Sequence, residues 1–240
     1  MKIGVIGGNG VAATNRLLDM VERKVTCSGG FRDAHHPEVI VAYETKAPSR
    51  SMFLEGKGES FIPDYIQTAK ALKNLGCCKV CMCCNTAHFA IDELQREAGV
   101  EFINLLSLVA IRANNLGLNE VELWVTDGAR KYDIYRKAFT KYAPNCKILY
   151  PDELRQEIIT RIICSVKTKA RFLSEFDKSH PHFLISELLK SAMAPVVLGC
   201  TDLRVAYKNG QELDDGVVID SLECLADAIV SFAGISFKRN

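Results

Sequence analysis

Residues 80–87 read VCMCCNTA, and residues 196–202 read VVLGCTD. Each is an apolar, strand-like run that ends in a cysteine followed by small polar residues. Asn85 and Thr86 follow Cys84, and Thr201 and Asp202 follow Cys200. The two stretches lie about half the chain apart. In parallel α/β sheets, functional groups gather at the C-terminal ends of strands, where loops open onto a common crevice. A repeat of this design predicts two α/β halves of one plan, each presenting a cysteine to a cleft between them.

The pattern extends outward from these two runs. Lys2–Ile6, Val39–Tyr43, Lys79–Cys83, Glu122–Val125, Lys147–Tyr150, Pro195–Leu198 and Val217–Ile219 are short and rich in β-branched or buried residue types. Helical spacing lies between them. In Ile62–Leu75, for example, Ile62, Ile66, Ala69 and Leu72 recur at intervals of three and four. Alternating strands and helices imply an α/β fold of two similar Rossmann-like domains with mainly parallel sheets. The expected division is a first domain over residues 1–105, completed by the last strand and helix within 212–240, and a second over residues 106–211.

The charges nearly cancel, with 30 Lys plus Arg against 29 Asp plus Glu and a net charge of +1. That balance supplies no basic face for nucleic acid and no attraction to an anionic membrane. The first run is broken by glycines within a few residues and reads as a strand, not as a signal peptide or a membrane span. Ten cysteines in such a chain point to free thiols in a reducing compartment, with a cytoplasmic location expected.

Five of those cysteines fall in residues 77–84, CCKVCMCC. The spacings Cys78–Cys81 and Cys81–Cys84 invite a metal-site reading. A zinc site would need a second ligand pair, and no close Cys/Cys or Cys/His pair follows downstream. On a strand, side chains three apart also point to opposite faces, so Cys81 and Cys84 diverge. Cys77, Cys78, Cys81 and Cys83 read as small apolar fillers. Cys84 is different, because Asn85, Thr86 and His88 follow it. A strand-to-helix turn there would hold its sulfur near amides and a helix N-terminus, a setting that favours the reactive thiolate. His88 either orients this turn or is a structural, hydrogen-bonded histidine.

A second motif, Gly8-x-Gly10-x-x-Ala13, follows the first strand and leads into a helix over Ala12–Val21. It fits the dinucleotide fingerprint, which also wants an acid ending the second strand about 20 residues later. Asp33 comes before that strand and Glu44 comes too late, so nucleotide binding is the weaker reading.

Met1–Val11 (MKIGVIGGNGV), Ala47–Arg50 (APSR), Cys84–His88 (CNTAH), Leu198–Asp202 (LGCTD) and Val218–Ser221 (VIDS) resemble, in that order, the motifs of the aspartate/glutamate racemase family. The resemblance covers roughly residues 1 to 230. It implies cofactor-independent racemisation of an acidic amino acid, aspartate ahead of glutamate, with Cys84 and Cys200 as catalytic residues and no metal or other cofactor. It further implies that Asn9, Arg50, Ser51, Asn85, Thr86, Ala87, Lys167 and Thr201 surround a small amino-acid substrate, and it leaves a homodimer open. Lys169 competes with Lys167 for the substrate's side-chain carboxylate. Racemisation removes the α-proton from one face and returns one to the other, so one acid/base group is needed on each side. Two thiols in one small site would titrate as a coupled pair. A guanidinium at Arg50 suits a bidentate contact with a carboxylate.

Three departures touch the same region. Asn9-Gly10-Val11 replaces the family's usual Met-Gly-Pro, Ser49 stands where Asp is common, and Asp202 is one methylene shorter than the usual Glu. None removes a cysteine, so they bear on substrate choice.

Overall fold

A computed structural model describes residues 1–207 and 217–234 of the chain. The first half runs β1 (Lys2–Gly7), α1 (Val11–Cys27), β2 (Glu38–Tyr43), α2 (Arg50–Glu55), α3 (Ile62–Asn74), β3 (Lys79–Met82), α4 (Ile91–Ala98), β4 (Glu101–Ile103) and α5 (Leu105–Asn115). The second runs β5 (Glu120–Trp124), α6 (Asp127–Lys131), α7 (Arg136–Tyr142), β6 (Lys147–Leu149), α8 (Glu153–Ser165), α9 (Pro181–Leu189), β7 (Val196–Leu198), α10 (Thr201–Ala206), β8 (Val218–Asp220) and α11 (Ser221–Phe232).

The strands form two parallel sheets, in the orders β2-β1-β3-β4 and β6-β5-β7-β8. Counted from its own first strand, each sheet has the order 2-1-3-4. The winding reverses between the first and third strands, which opens a crevice at their C-terminal ends. β3 and β7 are equivalent strands, and each cysteine comes two residues after its strand ends. The expected α/β architecture with parallel sheets is present.

Side-chain alternation sorts the core into three parts. Ile3, Val5, Cys81 and Cys83 from the first sheet meet Val121, Leu123 and Val197 from the second, with Leu17, Val109 and Leu225 between them. This core is common to both halves. The opposite face of the first sheet, with Ile6, Val80 and Met82, packs on Tyr65, Leu72 and Leu94. The opposite face of the second, with Trp124, Val196 and Leu198, packs on Ile159, Ile185 and Leu203. Cys81 enters the shared core while Cys84 lies against the first half's outer core, so the two do diverge.

One strand departs from expectation. The last strand was expected to complete the first domain, but β8 pairs with β7 in the second sheet, with Val197 opposite Ile219. Arg204 Nε lies 3.0 Å from Asp220 Oδ2, and Ser221 Oγ donates to the Leu198 carbonyl at 2.7 Å, which ties this segment to β7 and α10. Its helix, α11, does reach back to pack on α1 and α5. The expected return near residue 212 lies outside the described residues. β4 was not read from the sequence at all.

The β1–α1 loop is glycine-rich for steric reasons. Gly8 has φ +81°, and a Cβ there would stand 2.8 Å from the Glu44 nitrogen at the end of β2. Only glycine takes that backbone without strain while the neighbouring strand passes so close.

Candidate active site

The two cysteine turns meet. Thr201 Oγ1 donates to the Cys83 carbonyl at 3.3 Å, joining the end of β7 to the end of β3. Cys84 and Cys200 flank this contact in the chain. Cys200 is 8% exposed. Burial pushes its thiol up, and Asp202 and Cys84 push in the same direction against the Asp202 backbone N–H and Lys167. Cys81 and Cys83 are fully buried and their thiols are also raised by burial, Cys81 to about 12. Both are packed into the core shared by the two halves.

His88 fixes the Cys84 turn from behind. Its Nε2 accepts from the Leu105 N–H at 3.1 Å, so Nδ1 carries the proton and donates to the Cys84 carbonyl at 2.8 Å. Burial pulls this imidazole down to about 4, against the raising effect of its backbone contacts, and it stays neutral at physiological pH. Both alternatives drawn for His88 therefore hold, since it is structural and it orients the turn.

A cleft of about 710 Å³ lies between the β1–α1 loop, Arg50 and the segment after α8. The described residues lining it include four cations, Arg50, Lys167, Lys169 and Arg171, and one acid, Asp202. Neither cysteine is among its lining residues. Arg50 connects the two places. Its guanidinium donates to the Pro48 carbonyl at 2.9 Å and the Asn9 carbonyl at 3.2 Å, and it also contacts the Cys84 side chain. Burial pulls Arg50 down, but Cys84, Tyr65 and Asp202 outweigh it and hold the guanidinium above its ordinary value. On the other wall, Lys167 Nζ sits 2.9 Å from Asp202 Oδ2. Burial lowers this amine, and Asp202 with the two cysteines more than restores it.

The remaining expected site residues divide. Asn9 is buried at the loop, with its amide on the Tyr65 hydroxyl. Lys169 lines the same cleft as Lys167, but Lys167 is the one that meets Asp202. Ser51 faces elsewhere: its hydroxyl donates to Glu55 at 2.7 Å and accepts from the Gly128 N–H at 3.2 Å, in the contact between α2 and α6. Asn85 gives its amide nitrogen to Ser221 at 3.0 Å and its oxygen to the Tyr135 hydroxyl at 2.5 Å. Thr86 pairs with Thr126 at 3.0 Å, and the Ala87 side chain is buried in the first half's outer core. The side chains of Asn85, Thr86 and Thr201 thus hold the two halves together.

Sequence alone missed Tyr65 and Arg171. Tyr65 is fully buried beside Asn9, and its phenol is raised by burial and then by Cys84. It reads in sequence as one more apolar position of α3. Arg171 lies in a short 3-10 turn, Lys169–Phe172, which carries no periodic signal.

Among the described residues, no group of three His, Cys, Asp or Glu side chains could hold a metal ion. No helix among them is long and apolar enough to cross a membrane. A doubled parallel fold, with a cysteine after the third strand of each sheet and a cationic cleft alongside, defines an amino-acid racemase, an isomerase. Residues 3–229 match the family model described as Asp/Glu/Hydantoin racemase, and the chain belongs to that family. Among solved structures it is similar to the Picrophilus torridus aspartate racemase, with 24% identity, 97% of this chain and 94% of that one covered, and a TM-score of 0.79. An aspartate racemase homologue from Pyrococcus horikoshii OT3 is 26% identical over 97% of this chain and 99% of its own, with a TM-score of 0.72. A glutamate racemase from Bacillus anthracis is 15% identical over 99% and 84% of the two chains, with a TM-score of 0.62.

Proposed function

We propose that the protein racemises an acidic amino acid without a cofactor, aspartate ahead of glutamate, with Cys84 and Cys200 acting on opposite faces of the α-carbon. The observation that carries this reading is the Thr201–Cys83 hydrogen bond, which brings the ends of two equivalent strands, and hence both cysteines, to one place. Burial and Asp202 favour the protonated thiol at Cys200. In the direction where Cys84 is the base, its thiolate takes the α-proton to become a thiol. The electron pair left on carbon is delocalised into the carboxylate. The Cys200 S–H then protonates the opposite face and is left as thiolate. In the reverse direction the two exchange roles.

Among the cleft's described residues, four cations facing one acid support a dicarboxylate substrate, and two of the similar structures carry the name of aspartate racemase or its homologue. The ten cysteines, all free, suit a reducing, cytoplasmic setting.

The test is α-hydrogen exchange in heavy water, screened across amino acids with no added cofactor. Aspartate is expected to exchange fastest. Cys84→Ser and Cys200→Ser should each abolish turnover in a folded protein, while Cys83→Ser keeps most of it. An inactive but folded Cys83→Ser would place the wrong thiol in the site. Exchange should also survive dialysis against a chelator, and loss restored by zinc would revive the metal reading of the cysteine cluster.

A further inference from the structure

The one acid among the cleft's described residues is only half used. Asp202 is 3% exposed, and its Oδ2 meets Lys167, while Oδ1 is buried with no hydrogen-bond partner. Leaving such an oxygen dry and unpaired costs on the order of 1–3 kcal/mol, more when it is charged. A native structure that keeps one calls for a reason. The position of Oδ1 supplies one. A Cβ built on Gly10 would stand 2.7 Å from it, so Oδ1 points closely at Gly10 of the β1–α1 loop, which lines the same cleft, and glycine puts no side chain against it. Asp202 also adjoins the Cys200 turn, with its backbone N–H on that sulfur.

An acidic amino acid brings two carboxylates and one ammonium into this cleft. Arg50, Lys167, Lys169 and Arg171 can serve the carboxylates, but every one of them repels the ammonium. Among the described lining residues, Asp202 alone carries the opposite charge. An ammonium has three donors, and a carboxylate accepts at both oxygens. We infer that Asp202 Oδ1 receives the α-ammonium of the substrate, while Oδ2 keeps Lys167 at hand for a substrate carboxylate. This rests on the acidic amino-acid reading above. It gives the departure from Glu to Asp at this position a role, because the shorter side chain sets how far from Cys200 the ammonium is held.

The discriminating comparison is between aspartate and succinate, which has the same two carboxylates and no amine. Binding would be measured by titration calorimetry in the Cys84→Ser protein, where turnover is silenced, with and without Asp202→Asn. Asparagine keeps the size and the contact with Lys167 but loses the charge. Aspartate is expected to bind at least about thirtyfold more weakly in the double variant, and succinate to change by less than about threefold, because only the amine loses a charge-assisted partner. Retained succinate binding also shows that the site is folded. A parallel loss of both ligands would make Asp202 a structural partner of Lys167 and overturn the assignment, as would unchanged binding of aspartate. If Cys84→Ser binds succinate but not aspartate before Asp202 is touched, the acidic amino-acid reading falls and the assignment with it.

Discussion

Arg50 spends its guanidinium on the carbonyls of Ala47, Pro48 and Asn9, yet its buried Nε has no partner. It both holds the two loops at the cleft and keeps a donor in reserve beside Cys84. Arg50→Ala should lower kcat/KM for aspartate by at least about a hundredfold, or roughly 3 kcal/mol, since it removes a charge-assisted contact and loosens both loops. Arg50→Lys keeps the charge without the planar fork and should recover only part of that loss. Near wild-type kinetics in both variants would remove Arg50 from the site. At this scale the sequence was legible where chemistry is rare: a cysteine after an apolar strand, twice, stands out. It was mute where a residue's role depends on direction. Ser51 neighbours Arg50 in the chain, but one helical step turns its hydroxyl to Glu55 and Gly128.

Between β3 and α4 the connecting element is a single 3-10 turn, Thr86–Ala90, with a buried histidine. The imidazole of His88 carries a proton on Nδ1 for the Cys84 carbonyl and accepts at Nε2 from the first residue of α5. Its folded pKa is about 4, against an ordinary 6.5. As pH falls below about 6.5 the unfolded chain takes up a proton that the folded chain refuses until near 4. Stability from this group is therefore full above 6.5 and is lost on acidification, by about 3 kcal/mol in all. Asp220, pushed up to about 6 by burial, slopes the other way over part of that range, because its folded form binds the proton first. The clean measurement is a difference. Denaturant midpoints of wild type and His88→Gln, compared from pH 7.5 to 4.5, should converge as pH falls, because the variant lacks the titrating ring. Parallel lines would mean that His88 is not held neutral. The elements themselves were largely readable, because buried parallel strands are short apolar runs between helical periods. β4 was not, since its apolar pair, Phe102 and Ile103, is followed after a single residue by the apolar first turn of α5 and does not stand apart as a run.

Across the whole molecule, the halves are joined by a common core and by polar clamps at the strand ends, and Asn85 is the most committed of these. It receives the Tyr135 hydroxyl from the second half and gives its amide to Ser221, whose own hydroxyl goes to the Leu198 carbonyl at the end of β7. All of these groups are buried. Nothing in the one-dimensional pattern could show this, because the partners lie 50 and 136 positions away. From sequence, Asn85 reads as a donor to substrate. The two roles separate in a double-mutant cycle. Asn85→Ala leaves the Tyr135 hydroxyl buried without an acceptor and should cost about 2–3 kcal/mol of stability. Tyr135→Phe alone should cost about 1–2 kcal/mol, because it leaves the buried Asn85 oxygen without its donor. With the phenol already gone, removing Asn85 should then cost about 1 kcal/mol less than it does in wild type, a coupling readable from urea midpoints at constant m. A side chain that serves substrate would instead leave stability nearly unchanged in Asn85→Ala and show no coupling to Tyr135. Additive costs in the cycle would therefore return Asn85 to the substrate, and a clear coupling energy assigns it to holding the two cysteine turns in register.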